Sequence, residues 1–331
     1  MNPDNFNSLL QQIAAKIYVI NFYLAISGIL LNIAHLIILC QSLMRISSTN
    51  SILMGIAFSD LVVLSVVIYD KIYQFWFAEP ITKCIDAFEY SQWMDELQRD
   101  LLEHSSLWLG VFLALIRLII MKIPKPNTSI SRPDFGYVIV MIVFSITLMS
   151  TALFYFGIRI NAFPGITKSG CPMLTMELIN KLKMLEICHG GSQILISLIY
   201  PILAILLVLL IWKSSRNSTV SRKCLNDRLR SAKMILIMTI LYVICCGPYG
   251  FLDFMNLIVP TNEYVIFLLL DPKPVFITFL FCFNSLSHSF LNFVMSSKYR
   301  ETAKSLLRLK KQKTIGITVS NSTIRPNCHH H

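Results

Sequence analysis

FLALIRLIIMK, residues 112–122, sets a guanidinium, Arg117, inside a run that is otherwise apolar until Lys122 closes it. A helix rises about 1.5 Å per residue and the hydrocarbon core of a bilayer is about 30 Å thick, so a crossing takes about 20 mostly apolar residues. The run extends from Leu101 to Ile123 and is long enough. Six more segments qualify, at 16–40, 51–77, 135–160, 190–212, 232–258 and 275–295. Of the 331 residues 55% are hydrophobic and 14% charged, where soluble domains carry about 25% charged residues. Continuous apolar runs with few Gly and Pro are those of helices, not of the alternating strands of an outer-membrane barrel. The expected fold is an all-α membrane protein, a seven-transmembrane helix bundle with an amphipathic eighth helix.

Orientation follows from Lys and Arg, which collect in short cytoplasmic loops. One side carries Arg45, Lys122, Lys125, Arg132, a dense cluster over 213–233 and another over 298–313. The opposite side carries most acids, among them Asp70, Glu79, Asp86, Asp95 and Glu103. The N-terminus is expected outside and the C-terminus in the cytoplasm. The net charge of +11 is then a property of the cytoplasmic face, suited to anionic lipid, and gives no support for nucleic acid binding. The first span is too long, and lacks the small-residue cleavage pattern, for a removable signal. After the seventh span, SSKYRETAKSLLRLKK sets Tyr299, Ala303, Leu306 and Leu307 at helical spacing between bases, the pattern of an interfacial helix. Residues 1–311 are read as one membrane domain with that helix, and 312–331 as a disordered polar tail.

The cysteines sort by side. Cys84 and Cys171 fall in extracellular links, an oxidising compartment, and are the favoured disulfide, with Cys188 the competing partner. Cys40, Cys245, Cys246 and Cys282 read as apolar packing. The sequons at Asn127, Asn217 and Asn321 all fall on the cytoplasmic side and are expected to carry no glycan.

An ionisable residue inside a span is costly and normally faces the bundle interior. Asp60 in LMGIAFSDLVV, Arg117 and Asp253 in PYGFLDFMN are such residues. Arg117 lies about one turn from Lys122, close enough to the inner interface to snorkel, whereas Asp60 sits in mid-span. His35 and His288 lack an HExxH or paired-carboxylate context and read as packing residues.

These landmarks, taken in order, carry a resemblance. Asn32 after Gly28, IAFSD ending at Asp60, Arg117 at the inner end of the third span, Pro201, CCGP ending at Pro248, and NSLSHSFLNF followed by SSKYR resemble the landmark set of rhodopsin-like G-protein-coupled receptors. The wording ALIRLIIMKIP and MSSKYRETA is most similar to nematode serpentine chemoreceptors of class W, which resemble FMRFamide-type peptide receptors. The likeness covers roughly residues 20–307. The chain departs from the pattern at Ile116, where the family has an acid, at Leu118 for an aromatic, at Cys246 for a tryptophan, and at His288, Ser289 and Asn292 in place of NPxxY.

The resemblance implies a plasma-membrane receptor, not an enzyme, whose partners are a heterotrimeric G protein, membrane lipid and an extracellular peptide or small polar ligand. Arg117, with Lys122, Arg230 and Lys233, would meet the G protein; Arg228 stands where relatives have an acidic partner, so no ionic lock is expected. Arg99 replaces the aspartate of amine receptors. The outer helix ends offer Asp70, Arg99, Glu103, His189, Gln193, Tyr249 and Asp253 as the ligand rim. No organic cofactor is expected; Asp60, Ser106, Asn284 and Ser285 match the oxygens that hold an allosteric sodium ion in the family. The competing functions are a receptor homologue that does not signal and, less favoured, a transporter, for which matching Gly/Pro-broken spans are missing.

Overall fold

The structure, a computed structural model, describes residues 3–76, 103–122, 129–162, 191–192, 194–203, 205–210, 212–213, 236–237, 240–241, 244 and 273–308. Six helices are described throughout: α1 Pro3–Leu39, α2 Ser48–Trp76, α3 His104–Lys122, α4 Pro133–Ala162, α5 Lys273–Met295 and α6 Ser297–Arg308. No strand occurs among the described residues. Ile194–Leu210 is a further, shorter apolar helix. The span expected over 232–258 lies almost wholly outside the described residues.

Among the described residues, four stretches are long and apolar enough to cross a bilayer: Ser8–Leu39, Ser48–Ile72, Pro133–Ala152 and Val275–Val294. They coincide with the expected first, second, fourth and seventh spans. The 19 residues of α3 reach roughly 28 Å at 1.5 Å each, close to the hydrocarbon thickness. The chain is thus a multi-pass membrane protein. α1 starts 13 residues earlier than the apolar run alone indicated, at Pro3 rather than Lys16. A proline is suited to a helix's first turn, where its missing N–H costs nothing, and the polar turns that follow extend α1 beyond the hydrocarbon.

Turn chemistry sets the starts of the inner helices. The carbonyl of Ser47 accepts the first bonds of α2, from the N–H groups of Asn50 and Ser51, and the Asn50 carboxamide donates to the Met44 carbonyl. Before α4 a short 3-10 turn, Ser129–Ser131, leads to Pro133 and Asp134, a proline and an acid where the first turn and its dipole favour them.

α2 is the central helix. It packs against α1, α3, α4 and α5, and 67% of its apolar stretch is buried against 17% of α4's. One apolar cluster joins Leu39, Ile52, Ile56, Leu113 and Ile116 with Tyr299 of α6, toward the α6 end of the bundle; a second joins Ala25, Leu64, Val67, Phe281 and Cys282. Met141, Ile142, Ile146 and Met149 of α4 and Tyr23, Leu30 and Ile37 of α1 are exposed on the outside, as lipid-facing side chains are where hydrocarbon replaces water. α2 meets α4 through small residues, Ser48, Ser51 and Gly55, against Gly136 and Val140, the means by which helices approach closely in lipid. Cys282 is buried as expected, but Cys40 is exposed, because the helix ends at Leu39 and the chain turns there.

Candidate functional site

A polar core runs between α1, α2, α3 and α5. Asp60, 1% exposed at mid-α2, is its only described acid at that depth, and a bare carboxylate in hydrocarbon is costly. Ser106 of α3 donates to Asp60 Oδ1 at 2.8 Å. Asp60 Oδ2 has no hydrogen-bond partner; His288 Nδ1 of α5 stands 3.9 Å from it, and that nitrogen is likewise buried and unbonded. One turn from His288, Ser285 accepts a hydrogen bond from Asn32 Nδ2 of α1 at 2.9 Å. Ser289 donates to Asn32 Oδ1 at 3.2 Å. Asn32 therefore bonds two α5 hydroxyls at once, and its own helix accepts a third bond, Nδ2 to the Gly28 carbonyl at 3.1 Å.

Asp60, Ser106 and Ser285 are thus brought to one buried site. Asn284, beside Ser285 on α5, is buried with Oδ1 unbonded. These groups fit a small hard cation: unbonded carboxylate and amide oxygens with hydroxyls alongside are the donors such ions favour over nitrogen or sulfur. His288 contributes a nitrogen to the same neighbourhood, facing the unbonded carboxylate oxygen.

Two residues read as packing prove polar. His288 approaches Asp60, and His35, 1% exposed, bonds the Tyr299 hydroxyl through Nδ1 at 2.8 Å. Neither partnership leaves a local trace, since each links residues more than two hundred positions apart. Toward the C-terminal end of α2, Lys71 Nζ lies 2.8 Å from the centre of the Tyr18 ring of α1, a cation–π contact unmarked by any motif.

Arg117 lies one turn and a half before the end of α3. Its flank Ile116 is buried, Lys122 is exposed, and Arg117 Nε is buried without a hydrogen-bond partner. An unbonded guanidinium N–H in a helix bundle is a donor waiting for an acceptor. Among the rim residues, Asp70 is half-buried on α2, and Glu103 is 6% exposed and so is no solvated helix end. Arg99, His189, Gln193, Tyr249, Asp253, Arg230, Lys233, Cys84 and Cys171 lie outside the described residues.

Apolar helices that cross a bilayer around a buried carboxylate, with a short amphipathic helix following the last span, define the class: a multi-pass helical membrane protein with a polar core. The family model described as Serpentine type 7TM GPCR chemoreceptor Srw matches residues 19–310. The chain belongs to that family, which is one of receptors and not of enzymes. A search of curated proteins finds no match.

Proposed function

We propose that this receptor binds an extracellular peptide or small zwitterionic ligand and activates a heterotrimeric G protein through Arg117. The observation that carries the reading is the buried, unbonded Nε of Arg117 near the inner end of α3. Its five fixed donors suit the carbonyls of an inserted helix end, and Ile116 supplies no carboxylate to occupy them. Lys122, Arg230 and Lys233 add positive charge along the same face. The N-terminus lies outside and the C-terminus in the cytoplasm, in keeping with the basic clusters. Asp70, Arg99, Glu103, His189, Gln193, Tyr249 and Asp253 contact the ligand, beneath an entrance shaped by the Cys84–Cys171 disulfide. The test is nucleotide exchange by purified G protein on reconstituted receptor, screened against short peptides and amino-acid odorants. Ligand-dependent exchange supports the reading; ligand-dependent current without G protein would favour transport instead.

Asp60, Ser106, Asn284 and Ser285 would hold sodium, which supplies positive charge that offsets the buried carboxylate. The residues themselves hold α2, α3 and α5 together around it, Ser106 by its bond to Oδ1. Sodium chloride is expected to raise the unfolding temperature of the purified receptor above its value in choline chloride, and Asp60→Asn to erase the difference. Identical unfolding in the two salts would count against the ion.

A further inference from the structure

α1 carries Asn32 and His35 three residues apart, hence on one face; His35 reaches Tyr299 beside the elbow where α5 turns into α6, and Asn32 reaches Ser285 and Ser289 farther along α5. The elbow is one residue long, Ser296, and is tied within itself. Ser296 N–H donates to the Asn292 carbonyl at 3.0 Å, and Arg300 N–H donates to the Ser296 carbonyl at 3.1 Å. The Ser296 hydroxyl accepts from Tyr299 N–H at 3.2 Å, the bond of an N-cap serine. The Arg300 guanidinium folds back on the carbonyls of Phe293 and Val294, capping the end of α5.

Between this elbow and α1 the inner connection is narrow. Tyr299, 3% exposed, inserts its ring from α6 into the apolar cluster beside Leu39 and Met44. The ring meets Phe293 edge-on, 6.4 Å between centroids, and His35 at a tilt, 5.3 Å. The polar contact at its tip is the 2.8 Å bond to His35 Nδ1. Burial pushes the phenol above its ordinary pKa, so it keeps its proton at neutral pH and can donate to the imidazole.

We propose that the His35–Tyr299 hydrogen bond is a latch that fixes the α5–α6 elbow to α1, and that its opening frees α6 and the inner end of α5 to move as one body. The elbow's own hydrogen bonds tie α6 to the end of α5 and do not pass through His35, so opening the latch leaves the two joined. Asn32, bonded to Ser285 and Ser289 farther along α5, remains engaged and serves as the pivot.

Hydrogen exchange on the purified full chain tests this without ligand or G protein, and so stands apart from the signalling proposal. In Y299F, which deletes one oxygen and keeps the ring, amides of 297–308 are expected to exchange about tenfold faster, the order set by one neutral hydrogen bond. α4 amides over 133–152 should be unchanged. H35Q is expected to act in the same direction more weakly, because its amide still offers a partner. H35F should match Y299F, and the double variant should exchange no faster than either, since both remove the same bond. Wild-type exchange over 297–308 in Y299F would overturn the latch, as would single effects that multiply in the double variant. If H35F fails to fold, Y299F alone decides.

Discussion

Arg117→Ala is expected to bring receptor-catalysed nucleotide exchange down to the rate of the G protein alone, a loss of at least about a hundredfold. Two hydrogen bonds from a charged donor are worth about 3 to 6 kcal/mol, and each 1.4 kcal/mol is a factor of about ten. The same change should leave the fold intact. In the bundle Arg117 Nε has no partner to lose, so its removal relieves an unsatisfied buried donor, and the unfolding temperature should stay level or rise. Arg117→Lys keeps the charge but not the planar fork, and partial exchange is expected. Exchange assays beside thermal unfolding on one set of purified proteins separate the cases. Full exchange by Arg117→Ala would reduce the arginine to an interfacial anchor, and a fall in both readouts together would make it a structural residue.

Much of the architecture was legible because lipid imposes a length. An apolar run long enough to cross needs no partner to identify it, and four of the seven expected spans recur as long apolar helices. Asp60 was legible for the same reason: charge in mid-span has a function by default. Ser106 could be placed beside it only through the resemblance to rhodopsin-like receptors, since lying eleven residues, about three turns, before Arg117 fixes its face on the helix and not its partner. His288 and His35 were not legible. A histidine in an apolar helix shows no periodic signal, and the meaning of these two came from distant chain, Asp60 of α2 for His288 and Tyr299, 264 positions away, for His35. The first 13 of the 37 residues of α1 were missed because their polar turns lack the hydropathy of a span, although Pro3 and the residues after it tolerate helix.

Gly136 was equally silent in the sequence, and substituting it should have the largest effect on stability. It opens α4 where that helix crosses the start of α2. A Cβ built there would fall against the Ser48 carbonyl oxygen, with Ser51 Cβ at 2.7 Å and Ser48 Cα at 2.9 Å. Two of these neighbours are backbone, which cannot rotate aside, so even alanine forces the helices apart. Gly28 is the contrast: its Cβ would meet the Leu64 side-chain end at 2.7 Å, and a leucine tip can change rotamer. Overpacking of a close helix contact costs about 1 to 3 kcal/mol and occasionally more. Gly136→Ala should fall at the upper end, about 3 kcal/mol, and Gly28→Ala nearer 1 kcal/mol. The crossing also seats Ser48, whose buried hydroxyl has no hydrogen-bond partner, so parting the helices breaks no hydrogen bond at that side chain and the expected loss is one of packing. Thermal unfolding in detergent and surface expression of both variants measure the difference. Equal unfolding temperatures for Gly136→Ala and wild type would mean that α4 tilts away from Ser48 without loss, and that the α2–α4 crossing is held from Gly55 and Val140 instead.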